Sequence, residues 1–91
     1  MKKTLIELLE QNFFEYRGIV DGMDHLFHIK RKSTIIVKIS DEIADDFDYL
    51  SEPEKIERIN KITRYFNTIE NGIYKISDDE NAVDIKIEKI Q

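Results

Sequence analysis

Residues 51–72, SEPEKIERINKITRYFNTIENG, read as one amphipathic helix with a marked start and a marked stop. Ser51 and Glu54 have the S-x-x-E spacing of a capping box, in which each side chain satisfies an orphan amide of the first turn. Pro53 falls in that turn, where its missing N–H costs little. Ile56, Ile59, Ile62, Tyr65, Phe66 and Ile69 recur every three or four residues and cover about half the helix surface. Glu54/Arg58 and Glu57/Lys61 stand four apart with the acid first, the better order for an ion pair. Asn71-Gly72 supplies the stop, with glycine free to turn left-handed. A helix this apolar on one side needs a surface to lie on, and the segments flanking it have the period of strands.

Immediately upstream, Asp41 to Leu50 reads as a short helix that Ser40 or Asp41 caps. Ile43, Phe47 and Leu50 form its inner side, and Glu42, Asp45, Asp46 and Asp48 its outer side. Further back the period is two. Ile35, Val37 and Ile39 alternate with Ile36 and Lys38, and Phe27 and Ile29 alternate with His28 and Lys30. The polar run Arg31-Lys32-Ser33-Thr34 joins them as a hairpin loop, and Asp21-Gly22 marks a turn after Ile19-Val20. Strands are expected near 16–20, 25–31 and 34–40. The chain opens with a helix from Thr4 to Arg17, where Thr4 and Glu7 repeat the capping-box spacing. Leu5, Leu8, Leu9, Phe13 and Tyr16 form its stripe, and Gly18 stops it.

Downstream, Ile73 to Ile76 and Val83 to Glu88 read as a second hairpin around the polar run 77–81. Val83, Ile85 and Ile87 alternate with Asp84, Lys86 and Glu88, and Ile90 breaks the parity, so the strand bulges or ends near Glu88. The element order is α-β-β-β-α-α-β-β. It implies an α+β fold in two layers, an antiparallel sheet of four to five strands with helices on one face. The water-facing set would be His28, Lys30, Lys38, Asp84, Lys86 and Glu88, with Ile36 as an apolar intruder.

Ninety-one residues without linker or repeat read as a single domain, 1–91. With no cysteine, disulfides, thiolate metal sites and cysteine nucleophiles are excluded. No apolar run approaches the roughly 18 residues of a membrane span. Glu7 and Glu10 interrupt the apolar residues after the basic start, unlike a signal peptide, so the reading is a cytoplasmic protein away from membranes. Sixteen isoleucines against two alanines, with abundant Lys, Asn, Asp and Glu, fit a low-GC coding sequence, as in a low-GC bacterium or a phage.

Charge is uneven. Residues 1–40 carry seven basic and five acidic side chains, and residues 41–91 seven basic and fourteen acidic. From Asp41 to Glu54 there are seven carboxylates and no cation. Asp41, Glu42, Asp45, Asp46, Asp48 and Glu52 are therefore the expected partner-binding residues, facing a protein with a basic groove. A solvated helix face is the plain alternative. A metal is not expected there, because the calcium-loop pattern is missing and the aspartates do not converge.

His25 and His28 lie three apart, on opposite faces of a strand, and cannot share an ion. Lys30, Arg31 and Lys32 beside Phe27 form a basic hairpin tip, an alternative contact for nucleic acid. Phe13-Phe14 and Tyr65-Phe66 put adjacent aromatics on helices, where both cannot be central. Ile6, Phe14 and Ile36 are left over and, if exposed together, would form a patch suited to a partner or to a homodimer, the latter giving a structural homodimeric protein as an alternative function. No glycine-rich phosphate loop, triad or other catalytic motif appears, so neither an enzyme nor a cofactor is expected. The functional expectation is a monomeric or homodimeric protein-binding inhibitor or regulator. Its sharpest form is a phage protein blocking a host nucleic-acid-handling enzyme, such as a restriction or CRISPR effector.

Overall fold

The capping box forms as its spacing requires. Glu54 N–H donates to Ser51 Oγ at 3.4 Å, and Ser51 N–H donates to Glu54 Oε1 at 3.2 Å. The Ser51 hydroxyl also donates to Glu54 Oε1 at 2.7 Å, and this bond first, with the Ser51 N–H second, holds the Glu54 carboxyl below its usual range. The computed structural model describes residues 3–29, 35–67, 69–79 and 84–91. They form α1 (Thr4–Glu10), β1 (Phe14–Val20), β2 (Met23–His28), β3 (Ile35–Ser40), α2 (Asp41–Asp46), a 3-10 turn (Phe47–Tyr49), α3 (Glu52–Tyr65), β4 (Gly72–Asp78) and β5 (Ile85–Lys89). The fold is α+β, and its element order is the expected one.

The sheet runs β1-β2-β3-β4-β5 in sequence order. It is mixed rather than wholly antiparallel. Three neighbouring pairs are antiparallel, but β3 and β4 pair in parallel, with Val37 opposite Tyr74. The connection between them contains α2, the 3-10 turn and α3, a crossover of the length that parallel neighbours need. Asp21 and Gly22 both have positive φ, 54° and 77°, and join β1 to β2 as a two-residue hairpin turn.

Leu5, Ile6 and Leu9 of α1, Ile43, Ala44 and Phe47 after β3, and Ile59, Ile62 and Phe66 of α3 pack on one side of the sheet. They meet Phe14, Leu26, Ile35, Val37, Ile39, Tyr74, Ile76 and Ile85 in one core.

Several expected boundaries move. Helix α1 ends at Glu10, not Arg17, and its N-cap is Lys3 with no side-chain cap bond, so the Thr4/Glu7 box does not form. Phe13 then takes a left-handed φ of 71°, a conformation that costs a non-glycine residue about 1–2 kcal/mol. The reversal lets Phe14 and Tyr16 point inward as strand residues while Glu15 points out. A continued helix would have had to share one stripe between two adjacent phenylalanines. Gly18 is no helix stop but lies at a register shift in β1, with φ 91°.

Helix α3 ends at Tyr65, and Ile56, expected in its stripe, is 60% exposed. Arg58 and Lys61 turn to Asp84 rather than to Glu54 and Glu57, at 3.9 and 2.7 Å. Asp84 therefore belongs to the helix side, not to the water-facing sheet residues. Ile6 and Phe14 are buried, so the expected apolar patch with Ile36 does not exist. Strand β5 runs one residue beyond Glu88, to Lys89.

The facing of β2 is opposite to the expected one. Asp24, Leu26 and His28 point into the core, whereas Met23, His25 and Phe27 point away and Ile29 is exposed. Partners on β1 make this tolerable. Tyr16 Oη donates to Asp24 Oδ1 at 2.8 Å, and the Phe14 ring meets His28 edge-on at 4.9 Å. The two histidines do lie on opposite faces.

Gly72 starts β4 instead of ending a helix. A Cβ there would lie 2.6 Å from the Gln91 carbonyl oxygen and 2.7 Å from Lys89 Cε. Ile73 N–H donates to that same Gln91 oxygen at 2.9 Å. Gly72→Ala is expected to cost roughly 1–2 kcal/mol, the scale of forcing a carbon into packed structure. Urea unfolding checks it, and an unchanged midpoint would mean that the C-terminal residues do not lie against Gly72.

Candidate functional site

The acidic segment is presented by a short helix whose inner side is fixed by packing. Ile43, Ala44 and Phe47 are buried, which leaves Asp41, Glu42, Asp45, Asp46 and Asp48 exposed on the outside. Ser40 is the N-cap but makes no side-chain cap bond. Lys3, just ahead of α1, reaches across to Asp41 Oδ1 at 3.0 Å and Asp45 Oδ1 at 3.3 Å. Partial burial pulls the Lys3 ammonium down, but the bonds and charges of the two aspartates outweigh it and hold its pKa above 10.5. Glu52 pairs with Lys55 at 3.7 Å inside α3.

The six sequence-derived partner residues thus divide. Asp41, Asp45 and Glu52 are compensated locally. Glu42, Asp46 and Asp48 are exposed and have no ion pair among the described residues. Between them and α3 stands Tyr49, 89% exposed, which sequence reasoning missed. The 3-10 turn turns Phe47 inward and leaves Tyr49 outside. The spacing of Phe47 and Leu50 as inner residues carried that signal.

A second charged region is a shallow groove of about 360 Å³ between α3 and the start of β5, lined by Glu54, Glu57, Arg58, Lys61, Arg64 and Asp84. Its central charges, Arg58, Lys61 and Asp84, are already engaged. Lys61 Nζ donates to Asp84 Oδ2 at 2.7 Å and to the Ile85 carbonyl at 3.1 Å. The bond from Lys61 is the main reason the Asp84 carboxyl sits below its usual range, with partial burial opposing it. This groove ties a helix to a strand.

No family model, curated protein or solved structure matches this chain. The site must be judged on its own chemistry. Among the described residues, no group of three His, Asp or Glu side chains is placed to hold a metal ion. Nor is any helix among them long and apolar enough to cross a membrane. Lys30, Arg31 and Lys32 lie outside the described residues, as does Val83.

The third arrangement is the sheet face turned away from the helices. Phe27, Ile36 and Ile73 stand abreast on β2, β3 and β4, and His25, Lys38 and Lys75 stand abreast one row further along. None of the six is buried, and no described element covers them. Sequence reasoning placed Lys38, and Ile36 as an apolar intruder, on this face. It missed His25 and Phe27 because their strand was read with the wrong facing, and Lys75 because the neighbour of β4 was unknown.

Proposed function

We propose that the protein acts by binding another protein, one with a cationic surface, through the outer side of α2 and the 3-10 turn. The observation that carries this reading is the exposed group Glu42, Asp46 and Asp48 beside the almost fully exposed Tyr49. Uncompensated carboxylates speed the approach of a basic partner and select against acidic ones. A tyrosine among them supplies what charge alone lacks, a large rigid side chain of the kind that anchors interface cores. Asp41 and Asp45, tied to Lys3, act as scaffold for the others. A groove built to grip phosphates is the natural counterpart, since carboxylates replace phosphate oxygens there. In that form the protein is an inhibitor or regulator of a nucleic-acid-handling enzyme.

The test is capture from lysate of the native host, comparing wild type with the variant Glu42→Gln/Asp46→Asn/Asp48→Asn. A cationic protein retained by wild type and lost with the variant is the expected outcome. With the purified partner, association should slow about tenfold or more and lose its salt sensitivity, because steering scales with the charge removed. The thermal midpoint should stay within the range of surface substitutions. A partner that binds the triple variant at the wild-type rate would show that this surface is not the interface.

A further inference from the structure

We infer that the uncovered face of the sheet is a binding site for single-stranded nucleic acid. The site lies on the side of the sheet opposite the helices, and the inference does not depend on the acidic surface. Two registers place its residues. Phe27 is opposite Ile36 and Ile36 opposite Ile73, an apolar row across the three inner strands. His25 is opposite Lys38 and Lys38 opposite Lys75, a basic row beside it. Rows two residues apart along a strand are separated by about 6.5–7 Å. That offset lets one nucleotide lay its base on the apolar row and its phosphate on the basic row.

Charge supports the assignment. Among the described residues, the face carries Arg17, Lys38, Lys75 and Lys86 against Glu15 and Glu88, four cations to two anions, in a chain of net charge −5. The anions sit on the outer strands, each beside its own cation: Glu15 with Arg17 at 3.4 Å and Glu88 with Lys86 at 3.9 Å. Lys38 and Lys75 in the centre have no ion pair among the described residues, although Glu88 follows Lys75 in the row. Two like charges directly opposite destabilise a sheet, and a bound phosphate removes that penalty.

The aromatic group is also prepared. The Arg17 guanidinium lies over the Phe27 ring, 4.5 Å from its centre. A planar cation that already stacks there can stack equally on a base. Stacking on Phe27 demands an unpaired base, because a duplex keeps its base faces covered. This is why the expected ligand is a single strand, read by stacking and backbone charge rather than by sequence. Three strands' width accommodates a short site, on the order of four nucleotides.

The experiment is fluorescence anisotropy of labelled oligothymidylate, oligouridylate and a duplex of equal length, titrated with the whole protein at about 50 mM salt. Both single strands should bind, with dissociation constants of about 1–100 µM, and the duplex at least about tenfold more weakly. Phe27→Ala should weaken single-strand binding about tenfold. Lys38→Gln/Lys75→Gln should weaken it and lower the slope of log K against log salt by about 1.4, two phosphates' worth for a single strand. Glu42→Gln/Asp46→Asn/Asp48→Asn should not weaken it, which separates this site from the acidic one. No anisotropy change with either strand at about 100 µM protein overturns the inference. So does duplex binding as tight as single-strand binding, or binding unaffected by both sheet variants. If Phe27→Ala fails to fold, the lysine pair, partly exposed and outside the core, decides alone.

Discussion

Phe66→Ala should remove about 3–5 kcal/mol of stability, the usual range for deleting a buried aromatic ring. A chain of 91 residues has about 5–14 kcal/mol in total at the usual stability per residue, so the variant loses a large part of it. The reason lies in where the ring sits. Phe66 follows the last turn of α3 and is fully buried. Its ring meets Phe14 of β1 at 5.8 Å and Tyr74 of β4 at 5.3 Å, both nearly perpendicular. It therefore joins the crossover helix to strands on both sides of the sheet centre. Removing it leaves a cavity bordered by three elements that cannot all move inward. In urea the midpoint should fall while the slope stays constant, since the native state keeps its shape. Phe66→Leu should cost clearly less. A loss below about 1 kcal/mol for the alanine variant would mean that the cavity collapses or the ring cluster does not exist.

That cluster shows where sequence reading succeeds and where it stops. Local devices were legible because their physics is local. The Ser51/Glu54 box, the Asp21-Gly22 turn and the inward set Ile43, Phe47 and Leu50 each depend on residues within one or two turns. Pairing is not local. Nothing within β3 says that its neighbour is β4, so the parallel register and the Lys38–Lys75 juxtaposition were out of reach. The facing of β2 failed for a related reason. Its alternation was read by polarity, which sends His28 outward and Phe27 inward. The structure reverses both, because Tyr16 and Phe14 on the neighbouring strand receive Asp24 and His28. The acidic side chains on α2 were visible as a charge run. Their division into compensated and uncompensated members was not, since it hinges on Lys3, 38 residues away from Asp41.

The same β1–β2 pair yields the other large effect. Asp24 is 2% exposed, and its Oδ2 has no hydrogen-bond partner among the described residues, so its buried carboxyl relies on the Tyr16 hydroxyl at Oδ1. Tyr16→Phe removes that donor and should cost about 2–3 kcal/mol, the upper range for a hydrogen bond to a charged group left without replacement. Adding Asp24→Leu to Tyr16→Phe should recover part of the loss, because two apolar groups leave nothing unsatisfied. A double variant less stable than Tyr16→Phe alone would show that Asp24 has further support in the core. The pH dependence supplies an independent check. Burial first, and then the hydrogen bond and charge of Asp24, push the Tyr16 phenol from 10.0 up to about 12. The fold thus favours the neutral phenol, whereas the unfolded chain releases the proton near 10. The contribution is intact below pH 10 and is lost as pH rises from 10 through about 12. Unfolding followed across that interval should show wild type losing more stability than Tyr16→Phe, which has no phenol to ionise. Parallel losses in the two proteins would mean that the Tyr16 hydroxyl is open to water and not bonded to Asp24.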